Sequence, residues 1–325
     1  MQTRKLGSSD LNLSVVGFGT WGMSGSGWRG SWGPQDDDES IKAIIRACEL
    51  GVNWIDTAAV YGLGHSEEVV GKALKEMPER PIIATKLGSC WDEDGNIFGR
   101  LTKESVRKEV EDSLRRLGID VIDLYQIHWP TDSAEEVLEG WGTMSELVKE
   151  GKVRYIGVSN FGVELLERIR AIHPVTSLQP PYSMRRRGIE KEILPYCGEN
   201  NIGVVCYSPM GKGLLTGKFS RERAENLPDE DHRKRSGDFQ EPRLGIMLEM
   251  LEKLRPIAEK NGRTLAQLAI VWVLRRPEVT AAIVGARRPS QTEETAQAGD
   301  WNLSKEDVEA IDKILEEYDA RFAAA

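Results

Sequence analysis

The chain has 325 residues, 40% apolar and 29% charged, with a formal net charge of −9. That balance disfavours a nucleic-acid or anionic-membrane partner, because binding phosphates runs on an excess of Lys and Arg. No charge-free stretch is long enough for a bilayer and the N-terminus carries no apolar signal core, so the expected setting is cytoplasmic.

Residues 1–14 are expected to form a hairpin that plugs the floor of the fold behind it. Strand-like runs then recur at 15–19, 52–57, 81–87, 121–128, 153–159, 176–180, 202–208 and 279–285. Several are almost continuously apolar (Ile202-Gly203-Val204-Val205-Cys206-Tyr207), as parallel strands buried on both faces require. Helical patterns lie between them. In 103–117, Val106, Val110, Leu114 and Leu117 share one face, and Gly118 supplies the stop. Ser133-x-x-Glu136 and Ser304-x-x-Asp307 predict capping boxes opening helices at 134–150 and 305–318, the latter outside the alternation. Residues 88–100 predict a loop over the mouth, and 209–244 a long segment placed to act as a lid. The charge clusters Asp36–Glu39, Arg185–Arg187 and His232–Arg235 predict solvated faces.

Eight alternations without a break in composition predict an α/β fold. The expected form is one (β/α)8 TIM barrel over 1–325, with an N-terminal hairpin, a long loop after strand seven and an extra C-terminal helix. An open doubly wound sheet would carry GxGxxG after its first strand, and Gly17-Phe18-Gly19-Thr20-Trp21-Gly22 is not that fingerprint. Cys48, Cys90, Cys197 and Cys206 show no CxxC and no metal-ligand spacing, which reads as reduced thiols, with Cys90 in a loop.

Asp56, Tyr61, Lys86 and His128 each stand at or just past the end of a strand candidate. In such a barrel the strand C-termini open on one face, so an acid, a phenol, an amine and an imidazole would converge. A phenol keeps its proton at neutral pH and can give it to a developing alkoxide. Lys86 within reach would favour the phenolate, and Asp56 would hold that ammonium charged and aimed. His128 would orient a carbonyl or share the proton.

These motifs resemble those of the aldo-keto reductase superfamily. They include Gly17-Phe18-Gly19-Thr20-Trp21, Asp56-Thr57-Ala58-x-x-Tyr61-Gly62, Ala84-Thr85-Lys86, Asp120–Trp129 and Gly151–Phe161. Tyr207-Ser208-Pro209, Gly213-Leu214-Leu215-Thr216-Gly217-Lys218 and Gly285-Ala286-Arg287 complete the set. The pattern is most similar to the bacterial branch of inositol-operon and general-stress reductases, related to potassium-channel β subunits.

The resemblance implies NADPH-dependent reduction of aldehydes and ketones, with Asp56, Tyr61, Lys86 and His128 as the tetrad and NADPH/NADP+ preferred over NAD(H). It implies that Ser159, Asn160 and Gln179 hold the nicotinamide carboxamide and that Tyr207 stacks on the ring. Gly19, Thr20, Trp21 and Asp56 would border the cofactor. So would Ser208, Pro209, Met210, Gly211, Gly213, Leu214 and Lys218, with 211–218 folded over the pyrophosphate although it is no GxxxxGK[ST] loop. Gly285, Arg287, Gln291 and Glu294 would take the adenosine end, and a guanidinium suits a 2′-phosphate. Thr295 departs from the family's usual Asn. Trp21, Trp91 and Trp129, with Tyr61 and His128, would line the pocket for a small carbonyl substrate. Whether the chain is a homo-oligomer stays open. Two rivals remain: an NADP(H)-binding redox sensor or regulatory subunit with weak turnover, and a metal-dependent barrel hydrolase using Asp56 and His128. The hydrolase lacks a second clustered histidine, so no metal is expected.

Overall fold

A computed structural model describes residues 1–325. In chain order the strands are β1 (Thr3–Lys5), β2 (Asn12–Ser14), β3 (Val16–Gly19), β4 (Trp54–Asp56), β5 (Ile82–Leu87) and β6 (Ser89–Trp91). They continue with β7 (Ile97–Gly99), β8 (Ile122–Ile127), β9 (Val153–Ser159), β10 (Ser177–Gln179), β11 (Gly203–Cys206) and β12 (Val279–Gly285). The helices are α1 (Asp37–Glu49), α2 (His65–Glu76), α3 (Lys103–Leu117), α4 (Ala134–Lys149), α5 (Val163–Arg170) and α6 (Ile193–Glu199). After them come α7 (Arg221–Glu225), α8 (Arg243–Lys260), α9 (Leu265–Leu274), α10 (Pro289–Ala296) and α11 (Lys305–Ala323).

Eight parallel strands close into a barrel in the order β3-β4-β5-β8-β9-β10-β11-β12, and β12 pairs back onto β3. This is the (β/α)8 fold, its helices packed outside. The antiparallel pair β1–β2 sends Leu6, Leu11 and Leu13 against Trp54, Ala84, Leu124, Val205, Ala281 and Ile283. That hairpin plugs the N-terminal end of the barrel. Gly7 makes the close approach feasible: at φ +51° a Cβ would stand 2.6 Å from the Gly203 nitrogen and the Thr176 oxygen.

Alternation along the strands sorts the side chains. Ile55 and Ile83 face the helices, while Trp54 and Ala84 face the barrel interior. Two residues further along, Asp56 and Lys86 must therefore also point inward, at the C-terminal mouth.

The helix ends show where local signals were incomplete. Ser133 accepts the Glu136 N–H, but the Glu136 carboxylate turns to the Leu101 N–H at 2.6 Å instead of closing the box. Ser304 likewise caps α11 while Asp307 bonds Asn261 and Lys260. The reciprocal box lies at Thr264 and Gln267, opening α9, whose residues are all buried and so lack an amphipathic edge to advertise it. The 88–100 segment holds the β6–β7 hairpin. His232–Arg235 is a solvated face only at Lys234 and Arg235, which are exposed; Arg233 turns inward and forms a buried ion pair with Asp231. Asp36 caps α1, and Arg187 pairs with Asp319 of α11.

Candidate active site

The inward layer at the mouth is polar and nearly closed to water. Lys86 Nζ donates to Asp56 Oδ1 at 2.6 Å, to the Thr57 carbonyl at 2.8 Å and to Tyr61 Oη at 3.5 Å. All three ammonium protons thus have acceptors, which such a buried cation requires. The other Asp56 oxygen accepts from Gln179 Nε2 at 2.8 Å. Both oxygens are therefore engaged, whereas the metal-hydrolase arrangement needs that carboxylate turned to a metal beside His128.

Tyr61 reaches Lys86 because the chain leans across β5 as it leaves β4. Thr57 N–H bonds the Ala84 carbonyl, and the 3.1 Å bond from Tyr61 N–H to the Ala58 carbonyl closes the turn. The ring stacks on Trp21 (6.3 Å, 19°) and meets Trp28 at 6.2 Å and the edge of His128 at 5.6 Å.

Burial, then the Asp56 charge, raises the Tyr61 pKa well above a phenol's ordinary value, so its proton stays on at neutral pH. Burial lowers the Lys86 pKa, and Asp56 opposes that shift. Burial, then Lys86, holds the His128 pKa well below the ordinary imidazole value, so the ring is neutral. Its Nδ1 has no protein partner.

Beside this group, Tyr207 Oη donates to Asn160 Oδ1 at 2.9 Å, and Asn160 Nδ2 donates to Ser159 Oγ and the His128 carbonyl. Ser159 Oγ donates to the Gln179 carbonyl at 2.7 Å. Gln126, absent from the predicted set, joins the layer: it is fully buried and its Nε2 lacks a partner. Its signal was register, since it stands two residues beyond the inward Leu124.

A second polar group lies past β11 and β12. Gly211–Thr216 forms a tight turn behind Ser208, Pro209 and Met210, with Gly213 at φ +95° and Leu214 buried. Lys218 pairs with Glu294, whose Oε1 is buried without a partner. Gly19 pairs with Gly285 and with Asp56 on the adjoining strands, and Thr20 Oγ1 accepts from Ser66 at 2.7 Å. Gln291 Oε1 accepts the Arg287 N–H at 2.8 Å, and Thr295 bonds back to the Gln291 carbonyl. Orphaned polar atoms thus stand at both ends: Gln126 Nε2 and His128 Nδ1 at the mouth, Glu294 Oε1 by α10. Gln126 Nε2 suits a carboxamide and Glu294 Oε1 suits ribose or adenine donors, so the residues fit a nicotinamide dinucleotide, with His128 left for a second small polar group.

Two loops meet over the mouth. Trp21 Nε1 donates to the Gly30 carbonyl and Trp28 Nε1 to Ser24 Oγ. His232 stacks on Trp21 at 4.8 Å and bonds the Ser31 carbonyl through its N–H and Nδ1. Arg233 lies 4.5 Å over Trp32. Trp28, Trp32 and His232 were missed by sequence reasoning; three tryptophans in the Gly-rich, aperiodic 21–33 stretch were the available signal. Trp91 lies against Arg116, and Trp129 is exposed.

The aldo/keto reductase family model matches residues 15–316. The chain belongs to the aldo/keto reductase family. The aldo-keto reductase YhdN of Bacillus subtilis is 38% identical over 319 residues, covering 97% of this chain and 94% of that one. The NADH-specific methylglyoxal reductase of Escherichia coli is 34% identical, covering 97% and 99%. The solved structure of the glycerol dehydrogenase AKR11B4 from Gluconobacter oxydans superposes with a TM-score of 0.88 at 40% identity, covering 98% and 96%. This aldo/keto reductase is an oxidoreductase acting on carbonyl and alcohol groups with a nicotinamide cofactor. No helix is long and apolar enough to cross a membrane.

Proposed function

We propose that this chain reduces aldehydes and ketones with NADPH and that Asp56, Tyr61, Lys86 and His128 carry the proton chemistry. The observation that carries this reading is the Asp56–Lys86–Tyr61 chain, with contacts of 2.6 and 3.5 Å in a buried layer. The dinucleotide, when bound, supplies the hydride.

Tyr61 gives its proton to the carbonyl oxygen as that oxygen gains charge. Lys86, held by Asp56, favours the phenolate left behind and lowers the cost of the transfer. His128, neutral and with a free ring nitrogen, orients the carbonyl. Trp21 and Trp28 flank Tyr61 with flat apolar surface and exclude water from the transfer. That surface supports aromatic or small apolar carbonyl substrates.

Ser159, Asn160, Gln179 and Tyr207 would hold and orient the nicotinamide, and Gln126 would add a carboxamide contact. The 209–218 turn would cover the pyrophosphate. Arg287 would meet the 2′-phosphate, which is the basis for preferring NADPH, whereas one relative is named NADH-specific. The four unpaired cysteines support a reducing, cytoplasmic setting.

The test is to titrate NADPH by quenching of tryptophan fluorescence and then add an aromatic aldehyde. Binding followed by NADPH oxidation is expected. Binding with no oxidation of NADPH by a panel of aromatic and small aliphatic aldehydes would overturn the reductase reading.

A further inference from the structure

Arg287 is a charge held entirely by neutral groups. Its Nε donates to Gln35 Oε1 at 2.6 Å, Nη1 to the Trp32 carbonyl at 3.2 Å and Nη2 to the Pro34 carbonyl. Gln35 answers through Nε2, which donates to the Arg287 carbonyl at 2.9 Å and to Ser40 Oγ at 3.0 Å in α1. One glutamine therefore ties the start of α1 to both the backbone and the side chain that follow β12.

The surrounding charges do not neutralise the guanidinium. Arg233 and Arg288 act against it, and the carboxylate that favours it, Asp231, is already bound by Arg233 through contacts of 2.5 to 3.2 Å. A guanidinium has five N–H groups in a plane. The clamp uses three, and one N–H on each Nη remains. Each is a charged donor of the kind a phosphate oxygen accepts. Neutral acceptors fix the plane and leave the charge whole, whereas a carboxylate in the same place would fix the plane and cancel the charge.

We propose that Gln35 is a positioning residue for Arg287 and, through it, sets the preference for a 2′-phosphorylated dinucleotide; this rests on the Arg287 assignment above. Gln35 acts through Arg287, which takes its Oε1, while its Nε2 is spent on the Arg287 carbonyl and Ser40. Its effect is pre-organisation: the guanidinium is already ordered when the phosphate arrives, so less freedom is lost on binding.

The test uses two fragments without nicotinamide, 2′-phosphoadenosine 5′-diphosphate and ADP, titrated calorimetrically into the full chain. Turnover plays no part in this readout. Wild type should bind the phosphorylated fragment more tightly, and Arg287→Ala should abolish that preference. Gln35→Ala should lower the preference about tenfold through the phosphorylated fragment alone, the scale of one charge-assisted contact. Gln35→Glu should lower it further, because it neutralises Arg287. Melting temperatures verify that each variant is folded.

A preference unchanged in both Gln35 variants but lost in Arg287→Ala would overturn the proposal and leave Arg287 in place. So would equal weakening of both fragments, which marks a merely structural role. Tighter binding of the phosphorylated fragment by Gln35→Ala would show that the clamp competes with phosphate, and also overturns it. No preference in wild type, or one that survives Arg287→Ala, would overturn the Arg287 assignment itself.

Discussion

At the floor of the barrel the inward side chains of β4, β5, β8 and β11 are Trp54, Ala84, Leu124 and Val205, sealed by Leu6, Leu11 and Leu13. Two residues on, toward the mouth, stand Asp56, Lys86 and Gln126 on the same strands and Tyr207 just past the end of β11. The floor gains from removing apolar surface from water. The mouth bears the cost of desolvating an acid and an amine, and offsets it with a closed set of hydrogen bonds. One frame thus separates what stabilises the protein from what acts on the substrate, and substitutions at the two ends should fail differently.

The sharpest break is Tyr61→Phe. It keeps the ring against Trp21 and removes one 3.5 Å contact, so thermal melting should barely move. Steady-state turnover should fall by about 10²- to 10⁴-fold, the usual worth of a positioned proton donor. Unchanged turnover would remove Tyr61 from the mechanism.

Lys86→Met should damage both properties, because it leaves Asp56 charged and buried without its cation. Urea unfolding should show a loss of about 3 to 5 kcal/mol, together with loss of turnover. Pairing it with Asp56→Asn should recover part of the stability and none of the activity.

Leu13→Ala probes the floor alone. It should cost about 2 to 5 kcal/mol in urea unfolding through the cavity it leaves, with kcat unchanged. A fall in kcat at full folding would show that the two ends are coupled.

The smallest effect is one of pH. Burial depresses the pKa of His128 and takes that of His232 to about 4, below the ordinary 6.5. Below that value the unfolded chain binds more protons than the folded one. The stability that both rings contribute is therefore whole above about pH 6.5 and declines as pH falls. His232→Asn should flatten part of that decline between pH 6.5 and 4 in thermal melts. An identical acid profile would mean that His232 is solvated when the chain is folded.

Much of this frame was legible in the sequence. The strand candidate 52–57 became Trp54–Asp56 and 121–128 became Ile122–Ile127, because apolar runs bounded by helix signals are local features. Asp56, Tyr61, Lys86 and His128 stood out because strand ends share one face of a barrel. Gln126 was legible in principle from its register, yet lies inside an apolar run where nothing local distinguishes it. Trp28, Trp32 and His232 sit in segments without period, where side-chain direction follows the path of the loop.

The sequence by itself determined the succession of eight strands and helices, the apolar N-terminal hairpin and the placing of an acid and an amine at the ends of successive strands, since the two-residue and 3.6-residue periods are local. Only the tertiary structure decided that Arg287 is held by Gln35, 252 positions away, and that His232 is held by Ser31, 201 positions away. No local propensity couples residues so distant. The first contact exists because closing β12 onto β3 brings the first and last loops of the barrel to one edge of the mouth, and the second because the long segment after β11 reaches across to the first loop.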